Sequence, residues 1–234
     1  NNGLVTNVAG IRGRKIGAVG GATVDGGVWT NTGSLTVGDE DGSSGTLNIA
    51  NGGQVGNDVA YIGYDLGAEG EVNVGAGTWT NNSNLAVGRN GSGALNINVG
   101  GHVINNIGVV GLGGSSDGVV TVNGGTWTNN LYLQVGYGGE GTLNILSGGQ
   151  VTNSITEIGR NVGAVGLVTI TGAGSLWTPN GVTLGGRTSS AGGSGQLGVN
   201  GGIVDIVGPL KLWSGGTLNV TGGELITGSL DNSE

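Results

Sequence analysis

The chain has no cysteine, no methionine and no phenylalanine, and only one histidine. Without cysteine there is neither a disulfide framework nor a thiolate metal site, and nothing bars passage of the unfolded chain through an oxidising compartment. With one histidine, any Ser-His-Asp arrangement must use His102, which lies between Gly101 and Val103 at an outward-facing strand position. Charge is scarce as well: charged residues make up 9% of the chain, and seven basic against fifteen acidic residues leave a net charge of −8. That balance excludes the electrostatic footprint of a nucleic-acid partner. The only basic cluster, Arg12, Arg14 and Lys15, reads as a solvated N-terminal feature. No apolar run approaches the length of about 20 residues that a membrane-spanning helix needs, so no membrane insertion is expected of this chain. The N-terminus shows no signal-peptide pattern, so an exported protein would be represented here by a fragment.

What the chain has in abundance is glycine, 58 of 234 residues, placed neither at random nor at every third position. The glycines punctuate a repeat. Trp-Thr-Asn occurs at Trp29-Thr30-Asn31, Trp79-Thr80-Asn81 and Trp127-Thr128-Asn129, with a proline variant at Trp177-Thr178-Pro179. Midway between them lie Val5-Thr6-Asn7, Val55-Gly56-Asn57, Val103-Ile104-Asn105 and Val151-Thr152-Asn153. The spacing is 24 to 26 residues throughout, the mark of a solenoid whose repeats bury their apolar faces against one another.

Within each repeat three short alternating segments are separated by glycine. The first ends as in Leu85-Ala86-Val87-Gly88, the second is of the form Leu143-Asn144-Ile145, and the third carries the Trp or Val. Period-2 alternation rich in β-branched residues reads as half-buried strand, and no stretch has helical periodicity. The expected architecture is all-β: a parallel β-helix with three strands per turn of about 24 residues and roughly nine turns, hence a rod of about 43 Å at the strand spacing. Strand twist makes the expected hand right. Residues 1–180 carry the regular turns, and 181–234 read as irregular C-terminal turns or a cap of the same solenoid.

The turns alternate in detail. Trp turns carry Leu35, Leu85 and Leu133 six residues after the Trp, whereas Val turns carry Val59, Ile107 and Ile155 four residues after the Val. Inward indoles at Trp29, Trp79, Trp127 and Trp177 with valines between them solve a packing problem, because a Trp in every turn would overfill the interior. Asn31, Asn57, Asn81, Asn105, Asn129 and Asn153 mark the bend after each strand, and their stacking predicts a continuous ladder of amide hydrogen bonds.

One corner absorbs most of the length variation. The separation from the glycine that ends the first segment to the start of the second is 7 or 9 residues in most turns, and 12 from Gly185 to Leu197. The same corner holds Asp39, Glu40, Asp41, Asp65, Glu69, Glu71, Asp117 and Glu140, eight of the fifteen acids, with Tyr64 and Tyr137 directly after the glycine. Insertions in a solenoid collect on one face, often the binding face. Aromatics beside carboxylates suit a sugar or a basic protein patch, and the competing reading is a solvated acidic edge that keeps a Gly-rich rod soluble. Asp39-Glu40-Asp41 lacks the further ligands of a calcium loop, so neither a metal nor any other cofactor is expected.

Trp79-Thr80-Asn81, Leu85 to Gly88, Gly141-Thr142-Leu143-Asn144-Ile145 and Gly148-Gly149-Gln150-Val151 together resemble the repeat of bacterial autotransporter passenger domains of type V secretion, over about residues 20 to 180. The resemblance implies a right-handed β-helix, exported through an outer-membrane barrel outside this chain and displayed at the cell surface or secreted. It implies an adhesin or host-interaction scaffold, monomeric and not an enzyme, whose partner is a host-cell or bacterial surface protein or glycan. The alternatives are a polysaccharide-degrading enzyme on the same fold and a passive stalk.

Overall fold

A computed structural model describes residues 3–7, 10–12 and 15–233. The side chains of Val5, Thr6, Asn7 and Arg12, and the whole of Arg14, lie outside the described residues. The described residues contain no helix; the chain winds as stacked coils of parallel strands, a β-solenoid. The Trp and Val strands together with the segments that follow them form a 14-stranded first sheet, and the Leu-Asn-Ile type segments form a nine-stranded second sheet. Nine strands one above the next mark eight turns between the first and the last. Early coils have three strands, as in Thr78–Asn81, Asn84–Val87 and Ser92–Ile97. From His102–Val110 onward the first two run together as one strand bent at the asparagine, so those coils have two long strands in place of the expected three.

The second sheet shows why alternation specifies this fold. Leu47, Val72, Leu95, Val120, Leu143, Val168 and Leu197 stand in register in one inward column, and Ile49, Val74, Ile97, Val122, Ile145, Ile170 and Val199 in the next. All are buried. Each coil covers the apolar side chains of its neighbours, so burial, the main driving force, accumulates along the axis.

In the first sheet Trp79 pairs in register with Val55 and Val103, and Trp127 with Val103 and Val151. Trp79, Trp127 and Trp177 are wholly buried and Trp29 nearly so. The partner of the leucines differs from the expected one by a residue. Leu85 pairs with Ala60 and Gly108, and Leu133 with Gly108 and Thr156, while Val59, Ile107 and Ile155 face outward and are only half-buried. The small residue has a purpose: a Cβ on Gly108 would lie 2.7 Å from the Trp127 ring and 2.2 Å from Asn129 Oδ1. The Trp127 indole thus leans back over Gly108 of the preceding coil.

The asparagine ladder is interrupted rather than continuous. Trp79 Nε1 donates to Asn57 Oδ1 at 2.7 Å, and Asn57 Nδ2 donates to Asn81 Oδ1 at 2.6 Å. Trp127, Asn105 and Asn129 repeat this at 2.8 and 2.6 Å, and Trp177 donates to Asn153 at 2.9 Å. The amide nitrogens of Asn81 and Asn129 are buried with no hydrogen-bond partner, so bonding closes within a pair of coils and stops. The indole N–H claims the oxygen that a continuous ladder would use. Asn105→Ala should therefore orphan both the Trp127 N–H and Asn129 Oδ1, at about 2 kcal/mol or more by urea denaturation, whereas Asn130→Ala at the exposed bend should cost under about 1 kcal/mol. An unbroken row of amides exists elsewhere, on the outer face of the second sheet, where Asn96 donates to Asn73 and Asn73 to Asn48.

The sheets run on through the C-terminal segment. Ile203–Leu212 and Glu224–Asn232 extend the first sheet and Gly216–Val220 the second. Within the longest corner segment, Gly185 to Leu197, Gly186–Arg187 pairs antiparallel with Ser190–Ala191 as a small hairpin.

Candidate functional site

The variable corner is built on two columns of glycine. Gly38, Gly63, Gly88, Gly111, Gly136, Gly159 and Gly185 end the first-sheet limb with φ between 68° and 73°. Gly70, Gly93, Gly118, Gly141, Gly166 and Gly195 begin the second-sheet strands at points where a Cβ would come within about 2.1 to 2.4 Å of backbone. Two sheets that approach this closely leave room for no side chain, and the corner is correspondingly fixed. Only the residues between the two columns are free to vary.

That geometry divides the ten expected binding residues among three places. Tyr64 and Tyr137 each pack against an arginine of the following coil. The Arg89 guanidinium lies 4.0 Å from the Tyr64 ring centre and 5.6 Å from that of Tyr61, with the two tyrosines edge to face at 5.0 Å. The Arg160 guanidinium lies 4.4 Å from the Tyr137 ring centre. Each arginine sits one coil above its tyrosine, and such cation–π stacking holds both side chains against the sheet.

Glu69, Asp117 and Glu140 fall on the second sheet, in one outward column with Ser92 between the first two, and Glu71 stands two residues further along. Glu69, Glu71 and Asp117, with Ser44, Thr46 and Ser92, line a shallow depression of about 330 Å³. Asn96 Nδ2 donates to Glu71 Oε1 at 3.2 Å. Asp41 and Asp65 occupy the loop tips instead, in a separate hollow with Leu66, Asn90, Gly114 and Ser115. Asp39 and Glu40 are half-buried nearby, and the Asp39 N–H donates to Ser43 Oγ at 3.1 Å. Among the described residues no group of three His, Cys, Asp or Glu side chains is arranged to hold a metal ion. His102 is exposed, its Nδ1 2.6 Å from Thr126 Oγ1.

The charged residue most constrained by its surroundings was not among the expected ones. Glu157 is 6% exposed, accepts from Gln134 Nε2 at 3.0 Å and is paired with Arg160. A signal for it existed: in Ile155-Thr156-Glu157-Ile158-Gly159 the alternation puts a carboxylate on the outer face beside the corner, three residues before an arginine. Comparison of the chain with protein-family models, with curated proteins and with solved structures finds no match in any of the three.

Proposed function

We propose that the chain is a stretch of an exported bacterial surface protein of the autotransporter passenger kind, a monomeric scaffold that holds an acidic face toward a basic protein partner outside the cell. The observation that carries this reading is the depression shared by Glu69, Glu71 and Asp117. All three carboxylates are exposed; Glu69 and Glu71 share one strand, and Asp117 stands two coils or about 10 Å away on the same face. Like charges so placed oppose folding slightly, and other coils do without them: Val19 and Val165 occupy the same column. Their concentration makes sense as a field for a cationic partner, which steers encounter and is screened by salt.

The triple variant Glu69→Gln, Glu71→Gln, Asp117→Asn tests it. Against a panel of basic extracellular proteins on a sensor surface, the native chain should bind in about 50 mM salt and lose most of that binding in about 500 mM. The triple variant should bind about tenfold more weakly with an unchanged circular dichroism spectrum, because exposed charges contribute little to stability. Binding unaffected by the three changes would assign these acids to solubility alone. The chain should release no reducing sugar from a panel of polysaccharides, and release abolished by Asp39→Asn with Asp41→Asn would favour the enzymatic alternative.

A further inference from the structure

We propose that a groove on the outer face of the first sheet, overhung by the 186–191 hairpin, binds a neutral oligosaccharide lying along the axis of the solenoid. Two hollows of about 560 and 460 Å³ adjoin there, and Thr188 of the hairpin lines both. Their floor follows one outward column, Ile107, Tyr132, Ile155 and Gly181, with Pro209 in the coil beyond. Five coils at the strand spacing give the groove a length of about 19 Å, which suits a short chain better than a single small molecule.

The neighbouring column brings polar side chains into the groove. Ala86, Val109, Gln134, Glu157, Thr183 and Lys211 stand in register, and all but Gln134 and Lys211 are buried. Ala86 and Val109 satisfy the position with apolar side chains. In the next two coils, inside the groove, it is held by an amide and a carboxylate. A covered carboxylate is costly unless paired, and here Gln134 and Arg160 are present to pair it.

The hairpin is likewise anchored: Trp213, the one tryptophan outside the interior row, donates from Nε1 to the Arg187 carbonyl at 2.7 Å and carries Lys211 over its ring at 4.2 Å.

The chemistry of the walls selects the ligand. Tyr132 is 39% exposed, and Tyr137 is braced from behind by Arg160, so two amphipathic rings border the groove. Gln134, Glu157 and Arg160 present planar polar groups whose remaining donors and acceptors match vicinal hydroxyls. Arg160 is matched by Glu157 and Lys211 by Asp231 at 3.5 Å, and Arg187 donates to the Asn161 amide, so an anionic ligand would meet a single cation that no carboxylate holds. An extended peptide fits less well. Backbone groups on a sheet face are engaged in the ladder and offer no edge for strand addition. The two carboxylates of the groove, Glu157 and Asp231, stand three coils or about 14 Å apart in register, beyond the separation that glycoside hydrolysis uses, and the outcome is binding.

The test is calorimetric titration of the purified chain with a panel of neutral hexasaccharides, with a hexa-uronate and an extended-peptide library alongside. We expect at least one neutral hexasaccharide to bind, with affinity unchanged between about 50 and about 500 mM salt. Gln134→Val, which installs the residue the preceding coil already carries, and Tyr132→Ala should each weaken it about tenfold with the fold intact by circular dichroism. The Glu69, Glu71 and Asp117 triple variant should bind the sugar as the native chain does. The proposal is overturned if no neutral hexasaccharide binds at millimolar concentration, if Gln134→Val and Tyr132→Ala bind undiminished, or if only the uronate or the peptides bind.

Discussion

Trp127→Ala should lower the stability of the solenoid by about 3 to 5 kcal/mol, read from the denaturation midpoint in guanidinium. The indole is completely buried between Val103 and Val151, and its truncation opens a cavity that neither neighbour can fill. Below it lies Gly108, which has no side chain to move into the space. A second loss accompanies the cavity, because Asn105 Oδ1 gives up its donor in the dry interior. Since a solenoid is stabilised by nearest-neighbour interfaces, the damage falls on the coils on both sides and the transition should broaden as the two halves uncouple. Tyr132→Ala, half-exposed on the outer face a few residues away, should change the midpoint by under about 1 kcal/mol. A loss below about 1 kcal/mol for Trp127→Ala would mean that the interior row is not what holds the coils together.

The row itself was legible because a strand has a strict period of two and a solenoid a strict period near 24: once Trp79 points inward, Val55 and Val103 must do so too. Register across the bend is less legible. Asn129 to Leu133 takes four residues and Asn105 to Gly108 only three, so the apolar Ile107, one residue short of the true partner of Leu133, lies on the opposite face. A one-residue slip exchanges core for surface. The small residues that accommodate the indoles were hidden by that slip, and the broken amide ladder by a competition for one oxygen that only three-dimensional packing decides.

The candidate sites are assembled across the coils, whereas sequence order shows only neighbours along the chain. Tyr64 is followed by Asp65, which suggested an aromatic beside carboxylates; in the fold its nearest charged partner is Arg89, 25 residues on and one coil up. Tyr137 and Arg160 are related in the same way. In a stacked fold the neighbours that matter lie one period away, and the acids Glu69 and Asp117 likewise share a depression although 48 positions separate them. The corner is legible as the place where length varies. How its residues divide between two faces is not, because that division depends on where the glycine columns force the backbone to turn.

Those columns support the second large prediction. Gly118→Ala should cost about 3 kcal/mol or more, although its φ is not in the left-handed region. A Cβ there would stand 2.2 Å from the Val87 carbonyl oxygen and 2.6 Å from the Gly111 nitrogen, both main-chain atoms. The Val87 carbonyl accepts from the Gly111 N–H at 2.9 Å, so neither atom can retreat without breaking a ladder bond. Gly148 provides the contrast, with φ of 82° but nothing within 4 Å of the added carbon. Gly148→Ala should cost only the left-handed backbone, about 1 to 2 kcal/mol. Gly111→Ala combines both penalties, with φ of 72° and the Glu140 carbonyl oxygen at 2.1 Å, and should be the most damaging of the three. Denaturation of the three variants side by side therefore separates close approach from backbone conformation. If Gly148→Ala proved as costly as Gly118→Ala, the corner would be held by its dihedral angles and its backbone could shift to admit a side chain. The fixed placement of Tyr137 and Arg160 beside the groove would then lose its physical basis, because both follow directly on glycines of that corner.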